Sequence, residues 1–130
     1  MTLALDTSVL IELERRNPIV INKLKDLSKS HALPPCLPFM SYYEFLRGLK
    51  LKKSKDYDKK LEFLNKFNIL ITSKKTAEIL SDLRINYDKL GATLPLADFL
   101  IASQVIENDM TLVTRDRDFE RIENLNKIIL

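Results

Sequence analysis

The sequence predicts an α/β sandwich, a three-layer fold with a central, mostly parallel five-stranded sheet between helices. Three observations point to it. Short apolar runs recur along the 130 residues, and longer stretches with apolar residues at helical spacing separate them. Parallel strands need such crossovers, usually helices that cover the sheet. No internal repeat, low-complexity tract or linker interrupts the alternation, so residues 1–130 are expected to form a single domain.

Leu3-Ala4-Leu5 reads as a short buried strand. Val9 to Arg15 carries a helical pattern that Asn17-Pro18 breaks. Ile19, Val20, Lys23, Leu24 and Leu27 mark a second amphipathic segment. Pro34-Pro35 and Pro38 suggest a loop leading into a second strand over Leu37 to Met40. Ser41 then opens a helix with Phe45, Leu46 and Leu49 on its apolar side. Gly48 costs that helix stability, which suggests a close helix contact. Lys50 to Lys60, with six lysines and two aspartates, is helix-compatible and reads as a solvated face. Leu61, Leu64 and Phe67 continue inward to a third strand, Asn68 to Ile71. Thr72-Ser73 can cap a long helix striped by Leu80, Leu83, Tyr87 and Leu90 and ended by Gly91. Pro95 opens a helix with Leu96, Phe99, Leu100 and Ser103 or Ile106 inward. Asn108-Asp109 turns into a fourth strand, Thr111 to Thr114. A polar loop with a short helix precedes the fifth, Lys127 to Leu130.

Composition narrows the function. The sequence holds one cysteine, one histidine and two glycines. That excludes an intramolecular disulfide framework, a Cys/His zinc site made by one chain and a Gly-rich phosphate loop. Cys36 reads as a small apolar filler and His31 as a loop residue. No run is long and apolar enough to span a membrane, and the N-terminus lacks a secretory pattern. A cytoplasmic protein is the expectation. The net charge of +3 alone says little. Setting four clustered carboxylates aside would leave 14 acidic residues against 21 Lys and Arg, a surface that suits a polyanion.

Four acids occupy equivalent places. Asp6 ends the first strand, and Glu44 falls about one turn after the second. Asp98 lies in the first turn of the Pro95 helix, and Asp116 follows the fourth strand by two residues. Parallel strands share one rim where their carboxyl ends and the following helices meet, the usual ligand site of open α/β sheets. Each acid also has an ordinary structural use. Asp6 and Asp116 can be N-caps, Ser41 and Glu44 have capping-box spacing, and Asp98 can favour its helix N-terminus. What separates the readings is convergence. Carboxylates crowded together repel, and a divalent cation removes that cost. Mg²⁺ or Mn²⁺ takes oxygen ligands and can activate water and stabilise phosphoryl charge. With one histidine, nucleophilic triads and a double-histidine acid–base pair have no basis here.

Leu5-Asp6-Thr7-Ser8-Val9-Leu10, Glu44 in Ser41-Tyr42-Tyr43-Glu44-Phe45, the run Leu94-Pro95-Leu96-Ala97-Asp98-Phe99-Leu100-Ile101-Ala102 and the run Leu112-Val113-Thr114-Arg115-Asp116-Arg117-Asp118-Phe119 together resemble a PIN-domain nuclease. The resemblance is closest to VapC-like toxins of type II toxin–antitoxin systems and spans essentially the whole chain. It implies a PIN-like five-stranded parallel sheet and a Mg²⁺- or Mn²⁺-dependent endoribonuclease acting on an RNA substrate. It also implies a homodimer and a cognate antitoxin as inhibitor. Asp6, Glu44, Asp98 and Asp116 match the family's acidic quartet, with Asp6 and Asp98 expected as direct metal ligands. Thr114 matches a supporting hydroxyl, and Thr7 joins Asp6 and Ser8 in the first motif. Ser8 stands where the family often has Asn, and Asp118 competes with Asp116 as the fourth acid. Arg115 or Lys50 would hold RNA phosphates.

Two rivals remain at this point. One is a catalytically inactive PIN-like module that binds RNA or protein. The other is a phospho-accepting signalling domain, which wants paired acids on the first strand and a lysine after a later one. Here Leu5 precedes Asp6, and Arg115 follows Thr114.

Overall fold

Five parallel strands form one sheet in the order β3-β2-β1-β4-β5. They are β1 Thr2–Leu5, β2 Ala32–Leu37, β3 Asn68–Ile69, β4 Thr111–Thr114 and β5 Lys127–Ile129. This computed structural model describes residues 2–130, apart from the side chains of Ala32 and Leu33. Six helices accompany the sheet: α1 Thr7–Glu14, α2 Pro18–Leu27, α3 Phe39–Leu51, α4 Tyr57–Leu64, α5 Lys74–Lys89 and α6 Leu96–Glu107. A 3₁₀ turn spans Arg117–Arg121.

Alternation along β1 divides the core in two. Leu3 and Leu5 pack with Val9, Leu37, Phe45, Leu64 and Val113 on one side. Ala4 packs on the other with Leu83, Phe99, Ala102, Leu112 and Phe119. Helix α6 is buried around most of its circumference, from Phe99 through Val105 with only Leu100 partly exposed. Such a helix belongs inside the fold rather than on its surface.

The chain's punctuation explains where these elements begin. Asn17 caps α2, its Oδ1 accepting the amides of Ile19 at 3.0 Å and Val20 at 3.5 Å, while Pro18 suits the first helical position. Ser73 and Thr76 cap α5 reciprocally, as the Thr72-Ser73 pair suggested. Gly91 ends the region at φ 69°, the left-handed conformation glycine adopts without cost. Asp109 takes φ 52° in the turn before β4.

Several local expectations change. Strand β2 covers the double proline instead of following it, because the strand bulges there. Thr2 pairs with Ala32 and Ala4 with Cys36, so β1 advances two residues while β2 advances four. The bulge takes up prolines that cannot donate to a ladder. Helix α3 starts at Phe39 with Pro38 as N-cap. Ser41 is thus its third residue, not its cap, and the capping box with Glu44 does not form. The basic stretch breaks between Leu51 and Tyr57 into α3 and α4. Strand β3 has two residues, extended by the Leu70 amide bonding the Leu37 carbonyl at 2.8 Å. Leu90 and Leu96 are exposed, because both stand at helix ends beyond the inward stripe. Nothing lies within 4 Å of where a Gly48 side chain would begin, so no close contact explains that glycine.

Candidate acidic site at the sheet rim

Strands β1 and β4 are neighbours, and both deliver their carboxyl ends to one edge of the fold. Asp6 follows β1 directly, and its backbone amide continues the ladder by donating to the Val113 carbonyl at 3.0 Å. It is 6% exposed, an unusual burial for a carboxylate without a basic partner.

Two hydroxyls hold it. Thr114 Oγ1 donates to Asp6 Oδ2 at 2.7 Å, and Ser8 Oγ donates to the same oxygen at 3.0 Å. Each hydroxyl in turn accepts a backbone amide, Asp116 N–H on Thr114 and Arg115 N–H on Ser8, both at 3.0 Å. An amide can only donate, so both hydroxyl protons point at Asp6 and require an acceptor there. Asp6 Oδ2 thus carries two hydrogen bonds and pins the start of the loop bearing Asp116 and Asp118. Burial pushes the Asp6 carboxyl above its ordinary value, with Asp116 adding to the rise, while the Thr114 and Ser8 hydroxyls and the Thr7 amide oppose it.

Thr7 Oγ1 donates to Glu44 Oε1 at 3.0 Å and joins the start of α1 to α3. Asp116 does act as an N-cap, its Oδ1 accepting the Asp118 amide at 2.9 Å. Only one of its oxygens is used in this way. Asp98, Asp116 and Asp118 each bring an oxygen within 4.8 Å of those of the other two. Asp116 and Asp118 therefore stand together beside Asp98 and need not compete for one position.

The Asp98 carboxyl is pushed up to about 6, first by burial and then by Asp116, Asp6, Asp118 and Glu44 in that order. A carboxylate that served only its helix N-terminus would be favoured in its charged form. The shift runs the other way, because burial and, after it, the neighbouring carboxylates both disfavour the charged form. All the carboxylates singled out in the sequence act on this one group.

The donors are all oxygens, with no histidine or cysteine among them, which fits Mg²⁺ or Mn²⁺. The oxygens of Asp98, Asp116 and Asp118 are close enough together to face one cation. Asp6 and Glu44 lie outside that tight group of three while contributing to the field at Asp98.

Arg115 follows Thr114, and its guanidinium lies 3.7 Å from Glu12 on α1. Lys50 lies elsewhere on α3, beside a cavity lined by Tyr43, Leu46, Arg47 and Leu51 that contains no carboxylate. Gln104 left no signal in the sequence. It is a fully buried polar side chain in an apolar helix, and only the folded structure shows what it bonds.

Known proteins share this fold. The chain is 28% identical to "Ribonuclease VapC2" of Rickettsia felis over 127 residues, covering 96% of this chain and 95% of that protein. It superposes on VapBC2 from Rickettsia felis, solved bound to a promoter DNA fragment, with a TM-score of 0.87 and 27% identity. That match covers 100% of this chain and 99% of the other. VapBC-1 from nontypeable Haemophilus influenzae shares the fold at a TM-score of 0.79 and 22% identity, over 99% and 98% of the two chains. Residues 3–125 match the family described as PIN domain, and with that match running nearly end to end, the chain belongs to the PIN-domain family.

Proposed function

We propose that this protein is a Mg²⁺- or Mn²⁺-dependent endoribonuclease, cleaving RNA phosphodiester bonds as the toxin of a toxin–antitoxin pair. The observation that carries the reading is the crowding at Asp98, whose carboxyl is raised to about 6 by burial and four other acids. Packing like charges at one rim destabilises a fold and is retained where function uses it. The similarity to a VapC ribonuclease supports the same chemistry.

Asp98, Asp116 and Asp118, whose oxygens lie together, would hold the cation with Asp6, and Glu44 would complete the negative field. Bound there, the cation would supply Lewis-acid charge for the phosphoryl group and lower the pKa of a water. Thr114 and Ser8, both bonded to Asp6 Oδ2, would orient the Asp6 carboxylate for this work. Glu44, oriented by Thr7, is an exposed acid suited to orienting water at the rim. Arg115 would hold an RNA phosphate beside Asp116, its backbone fixed by Ser8.

The neighbours solved as VapBC complexes support a cognate antitoxin as partner. Phe39, Tyr43 and Leu51 are exposed apolar side chains on α3 and suit protein contacts, including a homodimer. A cytoplasmic location follows from an RNA target.

The test is cleavage of purified RNA with Mn²⁺, with Mg²⁺ and with EDTA. Cleavage by the wild type with either ion, absent in EDTA and lost in Asp98→Asn, is expected. Equal cleavage by wild type and variant would remove the site assignment, and an inert wild type would favour a binding module.

A further inference from the structure

Helix α3 carries Glu44 and helix α6 carries Asp98, so the acidic site depends on how these two helices are fixed to one another. Pro38 precedes α3 and offers no side-chain cap. The first amide of the helix is instead taken by Gln104 of α6, whose Oε1 accepts from Phe39 N–H at 2.8 Å. The other end of the same amide is also used. Gln104 Nε2 donates to the Leu70 carbonyl at 3.0 Å, just past β3. Gln104 is 0% exposed, so neither bond can be replaced by bulk water.

We propose that Gln104 is a positioning residue for the acidic site, a latch that sets Glu44 on α3 against Asp98 on α6. The proposal rests on the nuclease reading above and concerns what holds that site in register. The latch lies five residues before Glu44 and six after Asp98, where it acts on both helices without touching either acid. A helix pivoting by about 10° at its first residue moves a group about 7 Å along it by about 1 Å. Misplacement of that size can cost about 100-fold in rate. The apolar contacts of α3 resist such a pivot less specifically than a two-ended hydrogen bond does. Leu or Met would fill the same buried volume, so packing alone gives no reason for an amide here, whereas a latch needs one acceptor and one donor on the same side chain.

Two variants test this. Gln104→Met keeps the volume and removes both bonds. Gln104→Glu keeps both when protonated and loses the donor when ionised. Mn²⁺ affinity is measured by titration in the absence of RNA, and kcat and KM for an RNA oligonucleotide at saturating Mn²⁺, always well below each variant's Tm. Gln104→Met is expected to weaken Mn²⁺ binding by about 10-fold or more and to lower kcat similarly, with KM little changed. Gln104→Glu is expected to match wild type at about pH 5 and to fall to the Gln104→Met level by about pH 8. A folded Gln104→Met with a lower Tm but Mn²⁺ affinity and kcat within about twofold of wild type would overturn the proposal. Should that variant not fold, Gln104→Glu decides alone, and wild-type behaviour across the pH range would overturn it. A wild type that binds Mn²⁺ but leaves RNA intact would count against the nuclease reading, while the affinity comparison would still decide the latch.

Discussion

Thr114 and Asp6 are 108 residues apart in sequence, yet Thr114 Oγ1 donates to Asp6 Oδ2 at 2.7 Å. The threonine also accepts the Asp116 amide at 3.0 Å, so one hydroxyl couples the end of β1 to the loop after β4. Thr114→Val keeps the shape and β propensity and removes both bonds. It leaves a buried carboxylate oxygen short of a donor and an amide unpaired, at a cost of about 1–3 kcal/mol. A Tm lower by several degrees and a loss of RNA cleavage are expected, while Thr114→Ser should keep most of both. Calorimetry and cleavage assays check this, and a fully active Thr114→Val would show that the coupling is dispensable.

Asp6 was legible because the apolar run Leu3-Ala4-Leu5 stops abruptly at an acid, the pattern of a strand end at a sheet rim. Asp98 and Asp116 followed from the same logic at later junctions. The hydroxyl relay through Ser8 and Thr114 was not legible, because a sequence does not show that two amides occupy the acceptor side of those hydroxyls. Ser41 and Glu44 illustrate a false pattern. The capping-box spacing is present, but Pro38 starts the helix three residues earlier than Ser41. The double proline misled for a different reason. Proline ends most strands, yet here a bulge of the sheet takes it in. Gln104 left no signal at all, since hydrogen bonds across 65 and 34 positions are set by the fold.

Ser41 gives a prediction of opposite sign to most core substitutions. Its Oγ is buried and has no hydrogen-bond partner among the described residues, and the residue lies inside α3 rather than at its cap. The hydroxyl therefore loses its hydration with nothing in return. Ser41→Ala removes the unpaired group and has the better helix propensity. A stabilisation of about 0.5–1 kcal/mol is expected. Chemical denaturation reads it as a higher midpoint with an unchanged slope. A destabilised variant would mean that the hydroxyl serves a group the fold itself does not contain.

Asp98 makes metal-free stability depend on pH in a direction unusual for an aspartate. Its carboxyl titrates near 6 in the fold, against 3.8 for an ordinary aspartate. Between those values the folded chain binds a proton that the unfolded chain lacks, so acidification favours folding. The destabilising contribution is fully present above about 6 and fades as the pH falls toward 3.8. The raised Asp6 carboxyl acts in the same direction. In EDTA, the Tm is expected to rise as the pH is lowered from about 7 to about 5. Asp98→Asn should raise the Tm at neutral pH and flatten that slope while abolishing cleavage. Asp98 is only about half buried, so solvent screening limits the gain to about 1 kcal/mol. Mn²⁺ binds the ionised carboxylates and should restore stability at neutral pH, by about 2.7 kcal/mol at a concentration 100-fold above its Kd. Scanning calorimetry of wild type and Asp98→Asn across this pH range, in EDTA and in Mn²⁺, measures all of these terms. Wild type that loses stability on acidification in EDTA, or a variant with the same slope as wild type, would mean that burial and crowding do not raise the Asp98 carboxyl.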